Sequence, residues 1–165
     1  MKTTMQWKFL EMVDGNIRSK HGDCIWKIGK WQKPIKELDI CNTGYHSSPD
    51  IIEAYSWVNG TILAQVECKG KHVDITTKSV LENMRITKAW MWTNEARVAL
   101  IRKCTELHLE KYQDDNLAKQ ALIGFNEESQ IPLYYWCGTM YDGTYDVNKW
   151  LEEEILPTLE EITNG

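Results

Sequence analysis

Alternation of apolar and polar residues predicts extended strands in the first half of the chain. The clearest pattern covers residues 61–68, where every second residue from Ile62 to Cys68 is apolar and would share one face of a sheet. Residues 6–13 and 24–29 predict two further strands, which could pair as a hairpin across a long loop. Residues 72–76 would extend the same sheet after a turn at Gly70.

Apolar residues at helical spacing predict four helices. Residues 50–58 form the first, directly before the strand at 61–68. A longer helix is predicted to run to about Tyr112, with Asn94 as its N-cap. Two shorter helices are predicted over residues 117–125 and 147–155.

Together these elements predict an α+β fold in one domain over residues 1–165. It would contain a small, mostly antiparallel sheet with a helix packed against it, followed by a helical C-terminal half. Within it we separate a mixed α/β core, residues 1–88, from a helical part, residues 89–126. Residues 127–165 would add an aromatic loop and an acidic helical extension.

The charge balance and the cysteines limit which classes of partner and which cellular compartment are expected. The chain has 19 basic and 24 acidic residues and shows no basic stripe, so a nucleic-acid partner is not expected. No apolar run reaches the length of a membrane span, and four scattered histidines predict no metal site. Five cysteines without a C-x-x-C pair, and no signal peptide, favour free thiols in a reducing cytoplasm.

The strongest concentration of chemically useful groups is the run Tyr45, His46 and Ser47, which follows a turn at Gly44. In a strand these three side chains alternate between the two faces. No phosphate-binding loop, dinucleotide fingerprint or zinc-protease motif accompanies them. Two interpretations stay open. The run belongs to a site, or Gly44 permits the turn, Tyr45 packs, and His46 hydrogen-bonds to close a loop.

The order of strand, polar turn, helix and strand resembles part of the ADP-ribosyltransferase fold. That resemblance implies NAD as a ligand, a nicotinamide pocket shaped by the strand Tyr45–Ser47, and Glu67 stabilising an oxocarbenium-like transition state. The pattern also requires an Arg or His on the first strand, whereas this chain offers Trp7 and Lys8. If the chain is an enzyme, the candidate catalytic residues are His46, Glu67, Tyr45 and Ser47.

A longer series of motifs resembles a family of small, functionally unassigned proteins of phages, prophages and bacteria. The centre of that family reads Cys-x-x-Gly-Phe/Tyr-His-Ala/Ser-Ser, which this chain has from Cys41 to Ser48. The resemblance covers roughly residues 7–126. The chain departs from the family pattern at residues 116–120, where relatives carry a Pro- and Arg-rich turn. The other matching motifs are Trp7-Lys8-Phe9, Asp14-Gly15-Asn16, Trp26-Lys27-Ile28-Gly29, Ile62–Glu67 and Met84-Arg85-Ile86.

The leading expectation is a phage- or prophage-encoded accessory protein that binds a host protein, such as a defence component, in the host cytoplasm. Under this interpretation we do not expect an enzyme, and no cofactor is required. The oligomeric state stays open. An ADP-ribosyltransferase-like enzyme, or a nucleotide-binding relic of one that uses NAD, is the alternative. A structural virion component is a second alternative. Aromatic residues are common at interface hot spots, and the candidate binding residues are Tyr134, Tyr135, Trp136, Tyr141, Tyr145 and Trp150.

Overall fold

The computed structural model describes residues 2–40, 42–123 and 147–163. The strands are β1 (Thr4–Val13), β2 (Asn16–Arg18), β3 (Ile25–Trp26), β4 (Tyr45–Ser47), β5 (Ile62–Asp74) and β6 (Ser79–Met91). The helices are α1 (Ile51–Trp57), α2 (Asn94–Lys111), α3 (Asn116–Ile123) and α4 (Val147–Trp150), and α4 continues into a π-helical turn, Leu151–Ile155, and a 3-10 turn, Leu156–Thr158. All strand pairs are antiparallel in the order β3-β2-β1-β5-β6-β4. The predicted α+β fold with an antiparallel sheet is confirmed.

The first hairpin is closed by the dipeptide Asp14-Gly15. Both residues have positive φ, 50° and 74°, as a two-residue type I′ turn requires, and Asp-Gly favours this turn. Val13 therefore pairs with Asn16, and β1 pairs directly with β2. The prediction that β1 pairs with a strand at residues 24–29 was wrong. The tight turn supplies a nearer partner, and only Ile25–Trp26 forms a strand, which pairs with β2.

The longest pair in the sheet is β5–β6, which runs from Ile62↔Met91 to Asp74↔Ser79. The predicted apolar face of residues 61–68 is confirmed, and β5 extends beyond it. We did not predict β6 from the sequence. Its alternation is interrupted by Glu82-Asn83 and by Lys88, and the pairing register shifts twice. Residues 89–91 therefore belong to the sheet, in a region that we had expected to be helical.

A backbone bridge between Trp7 and Ser48 closes the sheet on itself. The two residues exchange hydrogen bonds with N–O distances of 2.8 and 2.9 Å. Because β4 also pairs with β6, strands β1, β5, β6 and β4 form a closed ring. We call the side of the sheet that this ring encloses the inner side. Its buried core includes Leu10, Ile62, Ala64, Val66, Cys68, Leu81, Met84 and Ile86.

Helix α1 packs on the outer side of the sheet. The Asp50 side chain accepts a hydrogen bond of 2.8 Å from the backbone N–H of Glu53, which caps the helix N-terminus. The rings of Phe9 in β1 and Tyr55 in α1 meet edge to face, with 5.2 Å between centroids. The predicted helix over residues 50–58, packed against the sheet, is confirmed.

The edge of β6 that does not pair with β5 is covered along its length by three separate segments. Strand β4 pairs with residues 79–81. Residues 29–35 donate backbone hydrogen bonds to the carbonyls of β6 between residues 82 and 86. Residues 160–162 cover the remainder, since Met91 N–H donates to Glu160 and Ile162 N–H donates to Ala89. Residues 160–162 were expected in a helical extension, but they form part of this sheet edge. Because the backbone groups of β6 are paired there, this edge does not offer a free strand for another chain to pair with.

The chain divides into two compact units, Met1–Trp92 with Leu159–Gly165, and Thr93–Thr158. In the second unit, α2 begins one residue earlier than predicted. Thr93 is the N-cap, because its backbone is extended and its hydroxyl accepts from Ala96 N–H at 3.1 Å. Asn94, predicted as the cap, is already helical. The buried stripe of α2 contains Ala96, Leu100, Ile101, Cys104, Thr105 and His108.

We expect a chain truncated after Thr158 to be less stable than the full chain. The truncation removes the two backbone hydrogen bonds to β6 and the partly buried Ile162, which packs against the core. The expected loss is about 2–3 kcal/mol of unfolding free energy, measured by urea denaturation. A chain truncated after Thr163 keeps this segment and is the matched control. Equal midpoints for the two truncations would contradict the edge-strand assignment.

Candidate functional site

Gly44 and Tyr45 anchor the loop that leads into β4. Gly44 has φ of +119°, and a Cβ at this position would overlap the Val80 side chain and approach Leu38 to 3.1 Å. A glycine is therefore required. Tyr45 points to the inner side, where its ring meets Trp26 edge to face at 5.6 Å, and its hydroxyl donates to the Lys33 carbonyl at 2.8 Å. These contacts account for Tyr45 as a packing residue.

Ser47 also faces the inner side, where it belongs to a small polar cluster. Its hydroxyl donates to the side-chain carbonyl of Gln6, whose amide donates to the Ser79 hydroxyl at 3.0 Å. The Cys68 thiol lies 3.8 Å from the Ser47 oxygen. Burial raises the pKa of Cys68 to about 11, so this thiol is not a nucleophile at neutral pH. The cluster satisfies the polar groups that interrupt the core.

His46 points to the outer side, opposite its two neighbours. Its Nε2 lies 2.8 Å from the carbonyl oxygen of Ile40, so the imidazole closes the loop before β4. Burial lowers the pKa of His46, and the ammonium charges of Lys8 and Lys78 lower it further, while the hydrogen bond to Ile40 opposes the shift. The imidazole is therefore neutral at pH 7, and Nε2 carries the proton that it donates to Ile40.

Glu67 has a different set of partners. Its Oε2 accepts from Arg85 Nε at 2.6 Å and lies 2.6 Å from Arg85 Nη2. The hydrogen bond from Arg85 is the largest cause that lowers the pKa of Glu67, which is ionised at neutral pH. Arg85 also lies over the Trp31 ring, 4.8 Å from its centroid. Glu67 is thus engaged in an ion pair next to a tryptophan, as a structural carboxylate would be.

A small cavity opens where β1 and β4 separate beside α1. Its volume is about 30 Å³, well below the several hundred Å³ typical of small-molecule sites. His46 and Ser47 both line it, whereas Tyr45 and Glu67 do not. The full lining is Trp7, Lys8, Phe9, His46, Ser47, Ser48, Ala54, Trp57, Val58 and Lys78. The structure therefore brings together two of the four candidate catalytic residues.

Two lysines in the cavity wall were not singled out as site residues from the sequence. The Lys8 ammonium donates to the His46 carbonyl at 2.7 Å, and burial lowers the pKa of Lys8 to about 8. Lys78 is only 8% exposed, and its ammonium lies over the Trp57 ring, 4.0 Å from the centroid. For Lys8 a signal was present. It has the same strand parity as Leu10, which places a charge on the face predicted to be buried.

Most of the predicted binding aromatics, from Tyr134 to Tyr145, lie outside the described residues. Trp150 is described. It is partly buried on α4, with the Lys103 ammonium 5.6 Å from its ring centroid. The described residues contain no group of three or more His, Cys, Asp or Glu that could bind a metal ion. Nor does any helix among them combine the length and apolarity needed to cross a membrane.

Comparisons with protein-family models, with curated proteins and with solved structures find no match for this chain. Functional inference therefore starts from the geometry of the sheet unit.

Beside the cavity, the N-terminus of α1 carries an unusual carboxyl group. Glu53 is buried, and its Oε2 has no hydrogen-bond partner among the residues that the structure describes. Burial and the nearby Asp50 raise the pKa of Glu53 from an ordinary 4.5 to about 7. A hydrogen bond between the two side chains, in which protonated Glu53 donates to Asp50, contributes to this shift.

We expect Glu53→Gln to weaken the dependence of stability on pH. Between the ordinary and the raised pKa, native Glu53 retains a proton that the unfolded chain has released, so wild-type stability falls as pH rises. From about pH 5 to about pH 8, the wild type should lose on the order of 1–3 kcal/mol more unfolding free energy than the variant. Urea denaturation at both pH values measures this. Glu106→Gln, at an exposed glutamate, is the control. Identical pH profiles for wild type and Glu53→Gln would refute the assignment.

Proposed function

We propose that the protein acts by binding another protein. The observation that carries this proposal is a group of large apolar side chains exposed at one end of the sheet. Trp57 is 48% exposed, Val73 40% and Ile75 41%. Exposed apolar residues that lie together, unlike ones scattered singly, are typical of interaction surfaces.

The three residues are tied to the same turn. The Ile75 N–H donates to the Lys78 carbonyl at 2.9 Å, which closes the connection between β5 and β6. Trp57 Nε1 donates to the Thr77 hydroxyl at 3.2 Å, so the end of α1 is attached to this turn. We call Trp57 and residues 73–78 the hairpin tip. A tryptophan fixed by a hydrogen bond and a cation–π contact loses little conformational entropy on binding, which favours it as an anchor.

The state of the candidate catalytic groups also favours binding over catalysis. His46 donates to a backbone carbonyl, Ser47 donates to Gln6, and Glu67 forms an ion pair with Arg85. A general base or nucleophile must reach its substrate directly or through one water. The cavity at His46 is much smaller than a site for a dinucleotide.

The partner class follows from the family resemblance, and it belongs to the same proposal. A phage- or prophage-encoded accessory protein would meet a host protein, such as a defence component, in the host cytoplasm. The candidate binding aromatics between Tyr134 and Trp150 would contact the same partner protein as a second surface. We also propose that the C-terminal half is mainly helical, which α2, α3 and α4 support.

We expect the double variant Trp57→Ser/Ile75→Ser to lose partner capture while its circular dichroism and Tm stay close to wild type. Both side chains are about half exposed, so their replacement costs little folding energy. Capture from host lysate, followed by mass spectrometry, identifies the protein retained by wild type, and titration of that purified protein measures the affinity. A loss of at least tenfold is expected for a hot-spot tryptophan.

Ile25→Ser is the matched control for this experiment. Ile25 is 44% exposed but lies on β3, far from the hairpin tip in the strand order. A second variant, Tyr134→Ser/Tyr135→Ser/Trp136→Ser, tests the aromatic segment without removing the sheet edge at residues 160–162. If the hairpin-tip variant binds as tightly as Ile25→Ser does, the proposed surface is wrong.

For the ADP-ribosyltransferase-like alternative, we expect NAD and ADP-ribose to leave the Tm unchanged. A ligand that binds the native state raises the Tm by mass action, and the cavity is too small to admit either ligand. Differential scanning fluorimetry over a concentration series measures the effect. A saturable rise in Tm that Glu67→Gln abolishes would instead establish the enzyme or nucleotide-binding interpretation.

A further inference from the structure

Strand β5 extends beyond the start of β1, and this leaves one of its two backbone edges free. The pairing of β1 with β5 stops at Thr4↔Cys68, whereas β5 continues to Asp74. Beyond that point β6 is the only strand that pairs with β5 in the described part of the chain. Residues 70–76 are all exposed. A free edge of this kind is a template on which another strand can pair.

The turn that closes the β5–β6 hairpin shows which backbone groups point to the free edge. The Ile75 N–H donates to the Lys78 carbonyl at 2.9 Å, so it points toward β6. Backbone groups of successive residues point to alternate edges of an antiparallel strand. No register shift separates His72 from the turn. The backbone of Val73 therefore points toward β6, whereas the N–H and C=O groups of His72 and Asp74 point to the free edge.

The side chains along this edge are complementary to a second copy of themselves. His72 and Asp74 lie on one face of β5, with 3.3 Å between Nε2 and Oδ2. If two such edges pair antiparallel about Val73, each His72 faces Asp74 of the second copy. An imidazole can donate a hydrogen bond to a carboxylate whether or not it is charged, and such cross-strand pairs stabilise a sheet.

The neighbouring registers lack this complementarity. Residues whose backbone groups point to the free edge must face one another, so the register can change only in steps of two residues. One such step places His72 opposite His72 of the second copy. The other places Asp74 opposite Asp74, where two carboxylates repel each other. The pairing about Val73 is therefore the favoured one.

We propose that the free edge of β5, residues 71–75, binds the same edge of a second copy of the chain. Val73 of both copies would lie at the two-fold axis. Each facing pair of His72 and Asp74 would form two backbone hydrogen bonds, four in all. This association goes beyond the proposed partner binding, because it uses the strand edge, whereas partner binding uses the exposed side chains of Trp57 and Ile75.

The small size of this contact predicts weak association. Five residues from each copy bury less surface than the roughly 1,200 Å² of stable complexes. We therefore expect a Kd on the order of 10–100 μM. Sedimentation velocity of the full chain from about 5 to about 300 μM should show a reversible dimer whose fraction rises with concentration. A monomer at every concentration would overturn the proposal.

Exchange of the two facing side chains tests the interface. His72→Asp should weaken dimerisation about tenfold, because it places a carboxylate opposite Asp74 of the second copy. The double variant His72→Asp/Asp74→His should restore the dimer, since an imidazole and a carboxylate again face each other. His21→Asp makes the same chemical change at an exposed loop position and should dimerise as wild type does. Equal dimerisation of His72→Asp and His21→Asp would refute this interface.

Cysteine cross-linking tests the register. The two copies of Val73 would be directly opposite, with Cβ atoms about 5 Å apart, close to the separation that a disulfide spans. The two copies of Ile75 would be displaced by four residues, or about 14 Å. Mild oxidation should therefore cross-link Val73→Cys, while Ile75→Cys and wild type stay monomeric on a non-reducing gel. Equal cross-linking of the two variants would contradict the register.

A proline at the edge separates this dimer from a host strand that pairs in the same place. His72→Pro removes an N–H that points away from β6, so it blocks strand addition and leaves the hairpin ladder intact. If His72→Pro loses the dimer but captures the host protein as wild type does, the two associations are separate, as proposed. If wild type is monomeric and His72→Pro loses capture, the edge binds the host protein and the dimer is refuted.

Discussion

The bridge between Trp7 and Ser48 determines the architecture of the sheet unit. It joins two strands at opposite ends of the hydrogen-bonding order and so turns an open sheet into a closed ring. The same bridge brings His46 and Ser48 against β1, where the Lys8 ammonium caps the His46 carbonyl. Because β1 and β4 pair only at this point, they separate beyond it, and the gap becomes the cavity. The core, the site and the position of α1 therefore depend on one short backbone contact.

The polar groups of this unit follow from that closure. Ser47, Gln6 and Ser79 face an interior that is otherwise apolar, and they satisfy one another there. Glu67 and Arg85 pair on the other side of the sheet. Lys8 and Lys78 differ from these groups, because no carboxylate in the described ranges offsets them.

The sequence predicted the features that neighbouring residues determine, and it did not predict those that depend on residues far apart in the chain. The alternation from Ile62 to Cys68, the Asp14-Gly15 turn and the helix after Asp50 are local, and the sequence revealed them. Strand β6 was missed because the polar residues Glu82-Asn83 and Lys88 interrupt its apolar alternation, and the register that accommodates them is defined only by pairing with β5. The candidate run at residues 45–47 was located, but the partners of its side chains, including Gln6 and the carbonyl of Ile40, meet it only after the ring closes.

Coverage of β6 by three segments also has a consequence for biosynthesis. Residues 29–35 and β4 precede β6 in the chain, so they are available when β6 leaves the ribosome. Ala89 and Met91, however, meet their partners only after α2, α3 and α4 have been translated. Until then this part of the nascent sheet exposes unpaired N–H and C=O groups that can recruit a foreign strand. Ribosome pausing within that interval would make the protein dependent on chaperones for its yield.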